Sequence, residues 1–239
     1  MSRLARRRVL VPAAAPGDRV RLDAAQVHHL LHVLRAVPGE VVTAMDAAGR
    51  SFRAVLEGSG EILIEALVSE PMPQGPVLLV APPKGARMAW LVEKAVELGA
   101  GEIRPVVTSR GAVKPGGEAQ VARWQRVAEA AVKQSGAAPP GIRPMAPLPE
   151  ALQGLAGPLW IAHPAPEALP LRCALEAPSG VPAFAVGPEG GWTGAELKLL
   201  TDAGGRCVTL GPRILRIETA ALACLLAWEP VRPRPILPA

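Results

Sequence analysis

Ala183-Phe184-Ala185-Val186 runs straight into Gly187-Pro188-Glu189-Gly190-Gly191, and Cys207-Val208-Thr209-Leu210 runs into Gly211-Pro212-Arg213-Ile214-Leu215-Arg216. Each is an apolar run of the length of a buried strand, cut off by a glycine–proline loop. A helical pattern follows each loop. After the first, Thr193-Gly194-Ala195-Glu196 sets a hydroxyl three residues ahead of a carboxylate, the spacing of a capping box. After the second, Thr219 to Trp228 is apolar nearly all round, so that helix is buried in the core or against a second subunit. The order strand, loop, helix places both loops at strand C-termini and helix N-termini, where open α/β sheets bind ligands. Glycine lets the backbone approach a ligand closely, and Pro188 and Pro212 stiffen the loops.

Upstream the alternation continues. Val77 to Ala81 reads as a buried strand, Arg87 to Leu98 as a helix ended by Gly99, and Ile103 to Val107 as a strand. Glu118 to Gln134 is an amphipathic helix, and Leu159 to Ala162 is a strand that leads to His163-Pro164. Strands alternating with helices of this length imply a mostly parallel sheet with helices on both faces. The first seventy residues differ. Val9 to Val11, Arg19 to Leu22, Glu40 to Met45, Ser51 to Leu56 and Glu61 to Val68 are closely spaced β runs. They surround one helix, capped by Asp23, with Val27, Leu30, Leu31 and Leu34 on one face. That pattern is a small β-barrel. Ser69 to Pro76 is proline-rich and reads as a linker, so the predicted domains are 1–70 and 74–239. Pro230 to Pro238 reads as an extended tail.

Hydrophobic residues make up 49% of the 239, enough for a sizeable core. No apolar run is long enough to span a bilayer, so no membrane association is expected. The basic start, Arg3 with Arg6-Arg7-Arg8, is not followed by the apolar core of a signal peptide. Cys173, Cys207 and Cys224 are an odd set without C-x-x-C spacing; they read as buried small hydrophobes in a reducing cytoplasm. The net charge is +5 and arginine outnumbers lysine, which suits a polyanionic partner. Neither G-x-G-x-x-G nor a P-loop occurs, which disfavours dinucleotide and kinase sites. His28 and His32 are one helical turn apart, but no cysteine or carboxylate is placed to complete a metal site, and none is expected.

The pattern GPEGGWTGAEL, then LGPRILRIETA, resembles the RsmE family. The likeness extends to Lys84-Gly85-Ala86-Arg87-Met88, to Glu93-Lys94-Ala95-Val96-Glu97-Leu98-Gly99, and to His28-His29-Leu30-Leu31-His32-Val33-Leu34-Arg35. It thus covers nearly the whole chain. These are SPOUT-class methyltransferases that methylate N3 of a uridine in 16S ribosomal RNA. The resemblance implies a trefoil-knotted C-terminal domain, a PUA-like N-terminal barrel that grips RNA, and a cytoplasmic homodimer. It implies S-adenosyl-L-methionine bound by His163, Gly187, Pro188, Glu189, Gly190, Gly191, Leu210, Gly211, Pro212, Leu215, Arg216 and Thr219. Arg216 and Glu218 would then face the transferred methyl. Glu218 has a structural reading as well, as a helix N-terminal carboxylate paired with an arginine. Candidate contacts to 16S ribosomal RNA or the small subunit are Arg7, Arg8, His29, Arg35, Lys84, Arg87 and Arg110. The chain departs from the family pattern at Ala86 and Ala89, where acidic residues are usual, and at Ala137, where an arginine is usual. Two other readings stand beside this one: a catalytically silent RNA-binding protein with a degenerate methyltransferase domain, and a small-molecule α/β enzyme.

Overall fold

Residues 7–69, 75–176 and 180–228 are described by a computed structural model. Arg3 and Arg6, most of the predicted linker and the proline tail lie outside the described residues. The described chain divides into two compact units: residues 7–69 with Ala130–Pro139, and residues 75–129 with 140–228.

In the first unit, alternation of inward and outward side chains makes the strands. They are β1 (Arg8–Val11), β2 (Arg19–Arg21), then after helix α1 (Ala24–His28) β3 (Val41–Asp46), β4 (Ser51–Leu56) and β5 (Glu61–Ser69). On β4, Phe52, Ala54 and Leu56 point into the core, which the two-residue period of a strand requires. The strand order is β1-β3-β4-β5-β2, with β1 parallel to β3 and the other pairs antiparallel. Register shifts between β4 and β5 curl the sheet. Its two end strands, β1 and β2, do not pair, so α1 covers the opening. Asp23 caps α1 by accepting from Gln26 N at 2.7 Å. The Gln26 side-chain amide then satisfies both backbone groups of Leu10 on the β1 edge, at 2.7 and 2.9 Å. The predicted single helix through Leu34 changes pitch: His29–Val33 is a π-turn, with Leu34 N bonded to His29 O. Arg35 follows in the left-handed region at φ 50°, and Ala36 N returns to Leu30 O. Leu30 is buried, and Val27, Leu31 and Leu34 pack against the same cluster.

The second unit runs β6 (Val77–Val80), α2 (Arg87–Glu97), β7 (Glu102–Val107), α3 (Gly117–Ser135), β8 (Gly141–Ile142), β9 (Ala146–Pro147), α4 (Leu148–Ala151) and β10 (Leu159–Ala162). It continues with β11 (Leu169–Pro170), α5 (Leu171–Ala174), β12 (Ala183–Val186), α6 (Gly194–Asp202), β13 (Arg206–Thr209) and α7 (Ile217–Trp228). The last residues of α3 belong to the first unit. The sheet order is β11-β13-β10-β12-β6-β7-β8, with β9 beside β7, and every pair is parallel. This is the α/β fold with a parallel sheet that the alternation implied. Leu79, Leu159, Ile161, Ala183 and Ala185 pack with Leu148 and Ala151 of α4 and Leu200 of α6. On the other face α7 packs against β6, β12 and α2. Strands covered on both faces are apolar throughout, as β12 is. In α7, Ile217, Ala220, Ala221, Cys224 and Leu225 are buried, whereas Leu226 is 60% exposed. Burial pushes the Cys224 thiol up to about 12, which leaves it inert. Cys207 is half-buried, and Cys173 is exposed on α5, against the expectation that all three cysteines are buried.

Candidate active site at one edge of the parallel sheet

Because the strands are parallel, β13, β10, β12, β6 and β7 all end on one edge. The loops that leave this edge carry most of the residues singled out from the sequence in this unit. His163 follows β10, and its N–H bonds to Val208 O of β13 at 3.2 Å. Gly187 to Gly191 follows β12, between β10 and β6. Leu210 to Arg216 follows β13, on the far side of β10. Lys84 and Arg87 follow β6, and Arg110 follows β7.

The loop after β12 is braced from several sides. Gly191 N bonds to Pro188 O at 2.8 Å, which closes a tight turn with Gly191 at φ 70°. Trp192 is buried, and a Cβ on Gly187 would sit 2.9 Å from its indole; any other residue at 187 would displace the ring. Arg110 donates to Gly190 O at 2.7 Å. The predicted capping box is present: Thr193 Oγ1 accepts from Glu196 N at 3.3 Å, and Glu196 Oε2 accepts from Thr193 N at 2.8 Å. Glu196 Oε1 also accepts from Ser109 N at 2.7 Å, which joins the loop after β7 to α6. Burial pushes the Glu196 carboxyl up, but the hydrogen bonds from Thr193 and Ser109 outweigh it and hold the group below the usual carboxylate range.

The loop after β13 is open. Gly211, Pro212, Arg213, Ile214 and Arg216 are exposed, Ile214 at 98%. Its anchor is Thr209, whose hydroxyl accepts from Gly211 N at 3.3 Å and lies 3.2 Å from Gly211 O. Among the described residues neither the Arg213 nor the Arg216 guanidinium makes a hydrogen bond or ion pair, although Arg216 O accepts from Ala220 N at 2.9 Å. Glu218, two residues on, is buried in the first turn of α7. Its partner is Arg87 and not an arginine of its own loop. Arg87 Nη1 lies 3.7 Å from Glu218 Oε1, and Nη2 is 3.3 Å from Glu189 Oε1. Among the described residues Glu218 Oε2, which is buried, has no hydrogen-bond partner. Two residues singled out for RNA, Arg87 and Arg110, are therefore engaged by the loop after β12, while Lys84 is exposed.

Residues 70–229 match the model of an RNA methyltransferase domain, and residues 22–69 match that of an RNA methyltransferase PUA domain. Ribosomal RNA small subunit methyltransferase E of Synechocystis is 33% identical over 233 residues, 93% of this chain and 76% of that protein. The Bacillus subtilis protein of the same name is 29% identical over 84% of this chain and 86% of its own. The chain belongs to this methyltransferase family. A crystal structure of ribosomal RNA small subunit methyltransferase E from Neisseria gonorrhoeae, bound to S-adenosyl methionine, superposes with a TM-score of 0.80. It is 35% identical and covers 92% of this chain and 96% of that one.

In the PUA-matched part of this methyltransferase, His29 and Arg35 are exposed, on the π-turn and just after it. The rings of His28 and His32 lie 4.9 Å apart, tilted by 32°, and line a pocket with Arg21, Leu22, Ala24 and Val27. Sequence spacing showed the two histidines to be adjacent; it gave no sign of Arg21. Arg7 forms an ion pair with Glu40 and approaches Leu34 O at 3.5 Å. Arg8 donates to the carbonyl oxygens of Lys133 and Gln134, at the end of α3. Both arginines thus already hold structural partners. Among the described residues no group of three potential metal ligands comes together, and no helix is long and apolar enough to cross a membrane.

Proposed function

We propose that this protein transfers a methyl group from S-adenosyl-L-methionine to N3 of a uridine in 16S ribosomal RNA, as a cytoplasmic homodimer with a knotted C-terminal domain. The observation that carries this reading is the meeting, on one sheet edge, of the loops after β10, β12 and β13 with buried Glu218 beside them. The residues fit the cofactor. The Cβ positions of Gly191 and Gly211 open on free space, so a ligand can lie against the backbone there. His163, Gly187 to Gly191, Leu210 to Pro212, Leu215, Arg216 and Thr219 would hold it. The bound cofactor supplies an electrophilic methyl group on a sulfonium.

The chain's own residues do the rest. N3 of uridine carries a proton and is poorly nucleophilic until that proton leaves. Glu218 is the acceptor: its Oε2 is buried and has no donor among the described residues, so a donor that the base brings would satisfy it. Arg216, exposed and unpaired among the described residues, stabilises the negative charge that spreads onto O2 and O4 of the base. We assign RNA grip to residues 1–70, with Arg7, Arg8, His29 and Arg35 as contacts, and cofactor binding and dimerisation to 74–239. Lys84 and Arg110 complete the RNA-contact set. RNA affinity should fall steeply with salt, because each neutralised phosphate releases counterions. The test is to incubate the purified protein, cofactor carrying an isotopically labelled methyl, and either small subunits or bare 16S RNA. Nucleoside analysis should then find labelled N3-methyluridine. Cofactor binding without N3-methyluridine in either substrate would overturn the reading.

A further inference from the structure

Arg87 is the first residue of α2, yet its guanidinium reaches two carboxylates far from it in the chain. One is Glu189, exposed in the loop after β12; the other is Glu218, buried in the first turn of α7. The fork is divided between them, Nη2 on Glu189 and Nη1 near Glu218 Oε1. A planar guanidinium can hold two carboxylates at a fixed mutual angle, which a lysine ammonium cannot. The arrangement leaves Glu218 Oε2 buried and unpartnered. A buried carboxylate oxygen without a donor is costly to the folded protein, and a donor brought by a substrate relieves that cost.

We infer that Arg87 is a positioning residue: it ties the loop after β12 to the start of α7 and fixes Glu218 so that Oε2 alone faces the proton-bearing nitrogen of the target base. The inference rests on the methyl-transfer reading above. In the step it serves, the N3–H bond breaks, the proton passes to Oε2, and the electron pair stays on N3; the carboxylate becomes the neutral acid.

The surroundings of Glu218 make Arg87 the charge that matters to it. α7 packs on β6, β12, α2 and α5. β6 and β12 carry no titratable side chain. On α2, Lys94 is held by Glu93 and Glu97. α5 carries Arg172 and Cys173, and α7 adds only Cys224. Arg213 and Arg216 precede α7. Among the described residues, Arg87 is the cation within 4.0 Å of Glu218.

Single-turnover methyl transfer to small subunits across pH, with thermal melts, tests this on full-length wild type, Arg87→Met, Arg87→Lys and Glu218→Gln. Arg87→Met should lose roughly a hundredfold in rate near neutral pH, a typical share for general-base catalysis. Cofactor affinity should change by less than about threefold, since the lost contact acts on the reaction and not on ground-state binding. Arg87→Lys keeps the charge and should recover part of the rate. An unchanged single-turnover rate at saturating RNA in Arg87→Met, with higher KM for RNA and a shallower salt dependence, would make Arg87 a phosphate contact and overturn the inference. A lower Tm with unchanged turnover per folded molecule would reduce it to a structural tie, and equally overturn it. If wild type makes no N3-methyluridine, the methyl-transfer reading falls and this inference with it. An active wild type with an unaltered Arg87→Met profile defeats the inference alone.

Discussion

The loop after β12 and the loop after β13 leave neighbouring parts of one sheet edge, and both are glycine–proline turns. Three of the five residues of the first are held from outside, Gly187 by Trp192, Glu189 by Arg87 and Gly190 by Arg110; Pro188 and Gly191 close its turn, and the Thr193–Glu196 box fixes its exit. The second rests on the Thr209 hydroxyl and sends Arg213, Ile214 and Arg216 into solvent. A site built from one fixed wall and one open wall can preorganise its cofactor backbone contacts while it admits a bulky substrate. The first loop should therefore govern stability, and the second should govern turnover.

The largest expected effect breaks the fixed wall. Trp192→Ala removes a buried ring that Gly187 and the sheet pack around, and should cost ~3–5 kcal/mol of stability by denaturant unfolding. A loss below about 1 kcal/mol would mean that the wall is not braced by this ring. Next comes the open wall. Arg216→Ala should lower single-turnover methyl transfer by roughly 10²–10³-fold, as for other donors aimed at developing charge. Its Tm should stay at the wild-type value, and cofactor affinity should fall far less than the rate. If cofactor affinity fell as far as the rate, Arg216 would be a binding residue and nothing more.

The third effect is smaller and depends on pH. The folded Glu196 carboxyl lies below its unfolded value, held there by Thr193 and Ser109 against the effect of burial. Its stabilisation is thus complete above the unfolded carboxylate range and fades as pH falls through the folded value. Glu196→Gln should cost about 1 kcal/mol near neutral pH, the worth of a helix cap. The Tm of wild type should drop more steeply than that of Glu196→Gln on acidification. Parallel curves would show that Glu196 is not ionised by its cap. The smallest effect is Ile214→Ala. At 98% exposure its side chain contributes almost nothing to the fold, so stability should move by less than about 0.5 kcal/mol. Any change in KM for RNA would then report directly on what the open wall touches.

Much of this contrast could be read from the chain and some could not. The strand beneath the first loop was legible because an apolar run of four residues stops at glycine and proline; the second begins one residue before its expected run, at exposed Arg206, and buries only Val208. The Thr193–Glu196 box was legible because its partners are three apart. The asymmetry between the loops was not. It depends on Arg87 and Arg110, which meet residues 102 and 80 positions away, and no local pattern encodes such a meeting. For the same reason Arg87 looked like a free phosphate contact. The π-turn at His29–Val33 was hidden because its apolar spacing is also that of an α-helix, with only Arg35, a non-glycine residue at positive φ, to end it. Two-residue strands such as β8, β9 and β11 carry no period to detect. Gln26, which closes the β1 edge from inside α1, resembled any other polar helix residue.

The most direct test of the open wall as the seat of N3 methylation is made in cells. 16S ribosomal RNA would be mapped by mass spectrometry from a strain lacking the gene, and from that strain carrying wild type, Arg216→Ala or Ile214→Ala. The expected result is one N3-methyluridine that disappears with the gene, returns with wild type and with Ile214→Ala, and fails to return with Arg216→Ala although that protein is folded and present. Full restoration of the modification by Arg216→Ala, or a 16S RNA unchanged by loss of the gene, would contradict it.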